Sequence, residues 1–196
     1  SGLESLKLPL KIIHNLENRG FARACNQGAI HGDSPYILFL NPDTRLFENS
    51  LCTVLKFMER RQNSRIGICG IQLVEEGGKV ARTCRRFPTL ARFIVQAFGV
   101  NNIPGFKALG IPMAEWDHTT TRTVDQIMGA FFWVRRELFN SLKGFDERFF
   151  VYFEEVDFSY RARNAGWKSA YLASAKAFHA GGGSSKKVKV ARLFYS

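Results

Sequence analysis

A run of five apolar residues at positions 36–40, Tyr-Ile-Leu-Phe-Leu, is the feature that most constrains the fold. Such a short uninterrupted run is typical of a strand that is buried on both faces in the parallel sheet of an α/β protein. Pro42 ends this strand, because proline has no backbone donor and biases Asn41 away from helix. Asn41 and Asp43 are therefore expected at the carboxyl end of a central strand, where open α/β sheets bind ligands.

The pair Asn41 and Asp43 has two interpretations. An amide oxygen and a carboxylate two residues apart suit a hard divalent cation that also binds phosphate oxygens. Alternatively, the sequence Asn-Pro-Asp-Thr forms a turn in which Asp43 hydrogen-bonds its own backbone. This motif alone does not distinguish a metal site from a turn.

Three carboxylates, Glu154, Glu155 and Asp157, lie within four residues and directly follow the apolar and aromatic residues 149–153. The helix dipole favours negative charge at a helix start. An apolar wall raises the pKa of a carboxyl group toward a value that suits a general base. In the structural alternative, Glu154 and Glu155 are first-turn helix acids and Asp157 pairs with Arg161.

Residues 18–29 contain small residues and amides, with Gly20 and Gly28 on either side of a helix start that carries Asn18 and Asn26. Small residues allow a planar base or a phosphate to approach closely, and exposed helix-start amides favour an anion. The glycine spacing excludes a Walker motif and a dinucleotide fingerprint. The alternative is a helix that packs tightly on the sheet through its alanines.

Taken in order, these motifs resemble family 2 glycosyltransferases with the GT-A fold, and rhamnosyltransferase-like members are the most similar. The resemblance covers residues 18–28, 38–44, 129–167 and 179–185, with the patterns Asn-x-Gly-Phe-Ala, Leu-Asn-Pro-Asp, Phe-Glu-Glu-Val-Asp and His-x-x-Gly. It implies an α/β domain with a mixed, mostly parallel sheet flanked by helices. We expect one such domain over residues 1–196. Residues 10–14 are a candidate strand, but the first strand and helix of the family are not found, so the domain is expected to be N-terminally truncated.

The resemblance also implies the chemistry: inverting, metal-assisted transfer of a sugar from a dTDP- or UDP-linked donor to a hydroxyl of a glycan or lipid-linked acceptor. Such a reaction belongs to polysaccharide or cell-envelope synthesis. Asp43 matches the main carboxylate for Mg²⁺ or Mn²⁺, and His179 matches a histidine beside the diphosphate or metal. Glu155 matches the general base, with Glu154 and Asp157 as alternatives. The expected nucleotide-sugar contacts are Asn18, Gly20, Asn26, Asn41 and Asp43.

Acceptor contacts are expected from two segments. Gly129 and Trp133 lie where the family approaches its acceptor, although Trp133 belongs to a run of strand aromatics that is typical of a core. Residues 99–122 are predicted to form a long loop. Trp116 in that loop is a further candidate acceptor contact, together with its neighbours Asp117 and His118.

Before this loop, Pro88 and Thr89 predict a helix start.

Composition places the chain among globular proteins, since 45% hydrophobic and 13% aromatic content exclude disorder. No run approaches the roughly 18–20 apolar residues of a membrane span. The four cysteines lack Cys-x-x-Cys spacing, and we interpret them as reduced core or near-core thiols of a cytoplasmic protein.

The net charge of +11 has two interpretations: a surface that keeps the protein soluble, or attraction for an anionic donor, a diphosphate-linked acceptor or an acidic membrane face. Its basic clusters are Arg82, Arg85 and Arg86, and then Lys186, Lys187, Lys189 and Arg192. Residues 193–195 are apolar or aromatic and follow the second cluster, so they could begin an amphipathic helix. Such a helix would associate peripherally with the inner face of a membrane. No nucleic-acid motif accompanies the charge.

The chain also has an alternative function: it could be a non-catalytic remnant of the fold that binds glycan or anionic lipid.

Overall fold

The computed structural model describes residues 10–179, which are organised around one mixed β-sheet. The strands are β1 (Tyr36–Leu40), β2 (Thr44–Leu46), β3 (Ile66–Val74), β4 (Cys84–Arg85), β5 (Arg122–Val124), β6 (Gln126–Ile127), β7 (Phe131–Arg135) and β8 (Lys168–His179). The helices are α1 (Phe21–Ala29), α2 (Ser50–Met58), α3 (Leu90–Ala97), α4 (Arg136–Ser141) and α5 (Glu154–Asn164). Short 3₁₀ turns occur between them, and β4 and β6 form a separate two-stranded pair.

The main sheet has the order β1-β7-β3-β8-β2, with β5 also paired to β8. Strands β3 and β8 are parallel, while β7 runs antiparallel to both β1 and β3. Strands β2 and β5 are antiparallel to β8. The predicted mixed sheet is therefore present, but the prediction that it is mostly parallel is wrong for the described residues. β1, β3 and β8 do point the same way, and the reversed β7 lies between the first two.

The burial of β1 differs from the prediction of a central strand with two buried faces. Its side chains alternate, with Ile37 and Phe39 buried, Tyr36 and Leu38 half-buried and Leu40 exposed. In the described sheet β1 is an edge strand whose partner is the antiparallel β7. The apolar run was misleading because its second face is only partly covered and still packs against a hydrophobic cluster.

Residues 10–14 do not form the predicted strand. They are exposed, and the segment lies along the surface beside α1. Lys11 Nζ is 2.9 Å from His31 Nδ1, and the Asn15 amide donates to Gln27 Oε1 at 3.0 Å. Polar contacts between exposed side chains hold this segment, and it has no sheet partner among the described residues.

Two hydrophobic cores cover the two faces of the sheet. The first core joins α1, α4 and α5 to one face, with Phe132, Phe158 and Tyr171 among its fully buried members. The second core joins α2 to the other face through Val54 and Met58. This separation matters for the site, because a side chain on the α2 face cannot also contact ligands on the α5 face.

The segment after β4 carries α3, which begins where predicted. Thr89 caps it by accepting a hydrogen bond from the Arg92 backbone N–H at 3.3 Å. No residue of α3 is buried. Within residues 10–179 no helix is long and apolar enough to cross a membrane. The second basic cluster at 186–192 and residues 193–195 lie outside the described residues.

The cysteine prediction is only partly correct. All four thiols are free, and Cys69 and Cys84 are buried, while Cys25 is half-buried. Cys52, however, is exposed on α2, because it lies on the face of that helix that points away from the sheet.

Candidate active site

Asp43 lies in the turn between β1 and β2, opposite the last residue of β8. β2 pairs with β8 so that Thr44 stands across from His179. As a result, His179 Nε2 lies 3.4 Å from Asp43 Oδ1. That carboxylate oxygen is buried and accepts no hydrogen bond from any described residue. It is therefore available to a cation or to a protonated imidazole.

A divalent metal at this position would have two protein ligands. Within residues 10–179 no group of three or more His, Cys, Asp or Glu side chains is arranged to hold a metal. Asp43 and His179 nevertheless fit an ion whose other ligands are diphosphate oxygens and water, as is common for Mg²⁺. The unpartnered Asp43 oxygen is the observation that supports this fit.

Backbone hydrogen bonds fix the turn that carries Asp43. The Asn41 N–H and the Thr44 hydroxyl both donate to the Ala130 carbonyl oxygen, at 3.1 and 3.3 Å. The Thr44 N–H closes the turn on the Asn41 carbonyl at 3.0 Å. Since the backbone closes the turn, the Asp43 side chain is not needed for it. The turn is thus anchored one residue from Gly129.

Glu154 and Glu155 open α5 after a distorted backbone segment. Tyr152 and Phe153 both have left-handed backbone angles, with φ of 67° and 69°. Two consecutive non-glycine residues in this region are strained, and such strain persists only where the surrounding structure imposes it. The segment 152–153 turns the chain so that both glutamates enter the protein at the start of the helix.

Burial perturbs the pKa of both carboxyl groups. Burial, and then the charge of Glu155, raises the pKa of Glu154 to about 7. Burial also raises the pKa of Glu155, although hydrogen bonds from backbone N–H groups, including that of Gly129, and the charge of Arg85 oppose this effect. One oxygen of each carboxyl group, Oε2, is buried without a hydrogen-bond partner among the described residues.

The two glutamates face different surroundings. Glu155 lies against Gly129, where an added Cβ would be 4.0 Å from the Glu155 carboxyl carbon. Glu154 is only 6% exposed and lies near Cys25 of α1, whose thiol pKa it helps to raise. Glu155 is therefore the glutamate that shares a site with residues 129–130, and through them with the Asp43 turn.

Asp157 makes the structural contact that the sequence offered as an alternative. Its Oδ2 accepts from Arg161 Nε at 2.7 Å. Arg161 also donates to the carbonyl oxygens of Leu142 and Gly144. This network ties α5 to the turn after α4, so the Asp157 carboxylate is already engaged.

Asn18 and Gly20 form the start of α1 against the segment that precedes α5. The Gly20 N–H donates to Asn18 Oδ1 at 3.0 Å, and the Phe21 N–H donates to the Phe150 carbonyl at 2.8 Å. Gly20 has a φ of 86°, and a Cβ at this position would overlap the Phe150 carbonyl oxygen. Glycine is therefore required for this close approach.

The side chain of Asn26, an expected nucleotide contact, forms hydrogen bonds within the protein. Its amide nitrogen donates to the Phe145 carbonyl at 2.9 Å, and its oxygen accepts from the Phe145 N–H at 2.9 Å. The amide also reaches Glu147 Oε1 at 3.1 Å. With its donors and acceptor engaged, Asn26 links α1 to the chain after α4.

Two of the expected acceptor contacts, Trp133 and Trp116, lie away from Glu155. Trp133 packs with the α2-side core, stacked on Phe131 with ring centroids 6.4 Å apart. It is thus on the opposite face of the sheet from α5, because side chains alternate along β7. Trp116 is buried in the other core and stacks on His118 at 4.0 Å. Gly129 alone lies beside Glu155.

His118 is fully buried, although a histidine in a loop is usually exposed. Its Nε2 accepts from the Cys84 N–H at 3.2 Å, and its carbonyl accepts from Gln72 and Tyr171. Burial lowers the pKa of His118, which favours the neutral ring that this acceptor role requires. His118 organises the loop core and does not face the site.

Sequence reasoning missed two features of the site. Arg85 of β4 is close enough to Glu155 to lower its pKa, but the sequence indicated only a basic cluster there. The strain at Tyr152 and Phe153 also gave no sequence signal, because non-glycine residues rarely adopt positive φ.

Comparison with known sequences identifies the family. The family model described as "Glycosyl transferase family 2" matches residues 2–143. The chain belongs to glycosyl transferase family 2. It is 30% identical over 173 residues to the N-acetylglucosaminyl-diphospho-decaprenol L-rhamnosyltransferase of Mycobacterium tuberculosis, covering 83% of this chain and 56% of the relative. It is 32% identical over 150 residues to the rhamnosyltransferase WbbL of Escherichia coli, covering 75% and 53%. The chain thus spans about half the length of these curated relatives.

Solved structures confirm the GT-A fold. GalNAc-T7, in complex with UDP, GalNAc and Mn²⁺, aligns with a TM-score of 0.59 at 15% identity, covering 87% of this chain and 32% of that protein. The mannosyltransferase PcManGT from Pyrobaculum calidifontis, in complex with GDP-Man and Mn²⁺, aligns with a TM-score of 0.53 at 16% identity, covering 87% and 39%. The predicted α/β class and family 2 resemblance are both confirmed.

Proposed function

We propose that this chain carries the transfer site of a glycosyltransferase that moves a sugar from a nucleotide-diphosphate donor to a hydroxyl of a glycan or lipid-linked acceptor. One observation carries the proposal: residues 129–130 join the Asp43 turn to the Glu155 carboxyl group. A carboxylate that can hold the diphosphate's metal ion and a proton acceptor, on opposite sides of one short segment, are what such a transfer needs.

Glu155 is the proposed general base. An acceptor hydroxyl becomes a better nucleophile when a positioned carboxylate takes its proton during attack on the anomeric carbon. The raised pKa of Glu155 strengthens it as a base, while the Gly129 N–H and the Arg85 charge keep the ionised form accessible. The proposed stereochemical course is inversion, in which the acceptor attacks the face opposite the leaving diphosphate.

Asp43 and His179 are the proposed protein ligands of a divalent metal, Mg²⁺ or Mn²⁺. When bound, such an ion supplies positive charge that stabilises the leaving nucleoside diphosphate. Asn41, Asn18 and Gly20 are proposed donor contacts, since the first belongs to the Asp43 turn and the other two lie next to the chain that leads into α5. Asn26 is not a proposed donor contact, because its amide is engaged with Phe145.

The relatives guide the choice of substrates. The mycobacterial and E. coli relatives are both named as rhamnosyltransferases, and the first name includes a lipid diphosphate acceptor. We therefore propose a dTDP- or UDP-sugar as donor, a lipid-linked or glycan acceptor, and a role in cell-envelope polysaccharide synthesis. The proposed setting is the cytoplasm, at the inner face of the membrane where a lipid-linked acceptor is exposed.

A thermal-shift panel of UDP, dTDP and GDP, each with and without Mn²⁺, tests the donor site. A ligand at about 100 times its dissociation constant adds about 2.7 kcal/mol to the free energy of unfolding. For a domain of this size that corresponds to a rise of roughly 5–10 °C. We expect one nucleotide to give this rise with metal, and we expect Asp43→Ala to lose it.

Asp33→Ala is the matched control, because Asp33 is an exposed aspartate just before β1 while Asp43 follows the strand. It should keep the full nucleotide shift. If no nucleotide raises the unfolding temperature of the parent chain, the proposed donor site is wrong. A non-catalytic role in glycan or lipid binding would then take its place.

A further inference from the structure

Among the exposed apolar side chains of the described surface, seven that the proposed reaction does not use lie within one short segment. It comprises α3 and the turns after it, residues 90–109, which we call the α3 surface. Seven large side chains on it are at least 45% exposed: Leu90, Phe93, Ile94, Phe98, Ile103, Phe106 and Leu109. Leu90 and Phe98 reach 78% and 80%. Large contiguous apolar patches on a protein surface usually mark an interaction site.

The α3 surface lies within a segment whose charged side chains are all basic. Residues 79–114 contain six cationic residues and no carboxylate: Lys79, Arg82, Arg85, Arg86, Arg92 and Lys107. A surface that combines exposed phenylalanine and leucine with arginine and lysine is typical of helices that lie in the interface of an anionic membrane. The charge therefore points to a specific kind of partner.

Hydrogen bonds fix the backbone of the α3 surface to the domain, although its apolar side chains are exposed. The Thr89 hydroxyl caps α3, and Arg92 Nη1 donates to the Phe87 carbonyl at 3.0 Å. Arg86 Nη1 donates to the carbonyl oxygens of Gly110 and Pro112, both at 3.2 Å, and Arg86 also pairs with Glu115. Both ends of the segment are therefore fixed to the domain, so its apolar side chains are exposed on an ordered scaffold.

A cationic cavity of about 360 Å³ lies beside α3. Its charged lining consists of Arg86, Arg92, Arg122, Arg163 and Lys168, with Asp125 as the one carboxylate. Asp125 Oδ2 accepts from the Phe87 N–H at 2.9 Å, so its charge is directed to the backbone. A cavity with this excess of cations suits a phosphate group, and lipid headgroups supply phosphates next to an apolar phase.

We propose that the α3 surface docks on an anionic lipid bilayer. The phenylalanines and leucines enter the boundary between headgroups and acyl chains, and Arg92 with the cationic cavity binds headgroup phosphates. A second copy of the chain is a poor occupant, because it would bring two wholly basic segments together. The bilayer satisfies the apolar and the cationic features at once.

The position of the α3 surface suits the proposed sugar transfer, although membrane docking does not depend on that reaction. Arg85 lies in the same basic segment and is near enough to Glu155 to lower its pKa. Phe87 and Pro88, directly before α3, line a groove with Phe153 and Val156 at the start of α5. A bilayer against the α3 surface would therefore lie on the side of the domain that carries the proposed base. Vesicle binding can be measured without any donor sugar, so its failure and the failure of sugar transfer are separate results.

Co-sedimentation with vesicles tests the proposal. The chain should bind vesicles of equal parts phosphatidylcholine and phosphatidylglycerol, and bind pure phosphatidylcholine much more weakly. Phe93→Ser with Phe98→Ser should reduce binding on the order of tenfold or more. Serine lacks the favourable free energy that each phenylalanine gains when it moves from water into the bilayer. Arg92→Glu should also reduce binding, and added salt should weaken it.

Leu51→Ser with Leu55→Ser is the matched control, because these α2 side chains are 41% and 42% exposed but lie on the other side of the sheet. This control should bind vesicles like the parent chain. Phe98→Ser alone, at a side chain 80% exposed, provides a variant with little effect on folding. No binding to anionic vesicles, or binding that the phenylalanine variants leave unchanged, would overturn the proposal. So would a dimer in sedimentation velocity that those variants dissociate.

Discussion

Glu154 and Glu155 are adjacent in sequence, yet α5 turns their carboxyl groups toward different surroundings. Successive residues of a helix point about 100° apart, since there are 3.6 residues per turn. Glu155 meets Gly129 and the charge of Arg85, whereas Glu154 faces the half-buried Cys25. Because of this difference, Glu155 is suited to proton transfer at the site, whereas Glu154 mainly affects the stability of the fold.

Replacing Glu155 by glutamine should separate binding from chemistry. Glu155→Gln should keep the nucleotide-induced thermal shift but lower sugar transfer roughly 10²–10⁴-fold, the usual contribution of a general base. In the parent chain, the rate should fall as pH decreases through a pKa above the ordinary glutamate value, because burial raises the pKa of Glu155. Transfer of labelled sugar to the proposed lipid-linked acceptor, assayed across pH, measures the loss of transfer and its pH dependence, and the thermal-shift panel measures nucleotide binding.

Asp157→Asn is the control for this substitution. It weakens the pair with Arg161, so it should lower stability while keeping the acid limb of the pH profile. If Asp157→Asn abolishes transfer and Glu155→Gln does not, the assignment of the base is wrong.

Replacing Glu154 by glutamine should stabilise the fold at alkaline pH. The native pKa is about 7 against an ordinary value of 4.5, so the native state binds more protons than the unfolded state between these values. The stability of the parent chain therefore falls as pH rises from 4.5 through 7. Glutamine carries no charge, so Glu154→Gln should be more stable at pH 8 by on the order of 1–3 kcal/mol.

Thermal unfolding at pH 8 and pH 5 measures this difference, which should be large at the first pH and small at the second. The exposed Glu76 offers a control, and Glu76→Gln should shift neither value. An equal gain for Glu154→Gln at both pH values would contradict the linkage, since a packing effect does not depend on protonation.

At the scale of elements, the sequence was most reliable where a local signal coincides with a local structure. Pro42 ends β1, Thr89 caps α3, and the carboxylates open α5 as expected. Asp43 and His179 are also brought together by the pairing of β2 with β8. The first three features depend on turn chemistry and capping, which act over a few residues. The approach of Asp43 and His179 is a long-range contact, and it was predicted from the family resemblance.

Predictions that required knowledge of distant neighbours were less successful. The direction of β7 between β1 and β3 depends on contacts across some 100 residues, so the apolar run of β1 did not reveal an antiparallel partner. Trp133 and Trp116 have the chemistry of sugar-stacking residues, but only the fold decides which side of the sheet they occupy. His118 was misjudged for the same reason, because its hydrogen bonds come from distant strands.

At the scale of the whole molecule, the proposed site joins the two ends of the described chain. α1 starts against Phe150, just before α5, and Asn26 of α1 holds Phe145. The Asp43 turn meets His179 at the end of the last strand. Contacts of long sequence separation thus hold both halves of the site, and its geometry should depend on the integrity of the whole domain.

Gly20 lies at one of these long-range contacts and has no room for a side chain, so its substitution tests the coupling. Gly20→Ala adds a Cβ that overlaps the Phe150 carbonyl oxygen at a φ of 86°, and it should lower the free energy of unfolding by about 1–3 kcal/mol. It should also weaken nucleotide binding, because Asn18 and Gly20 are proposed donor contacts at this junction. Gly28→Ala is the control: its Cβ meets no heavy atom within 4 Å, so helix propensity should stabilise it by about 0.5–1 kcal/mol. Urea unfolding and the thermal-shift panel measure both variants, and equal effects would show that the contact with Phe150 does not support the site.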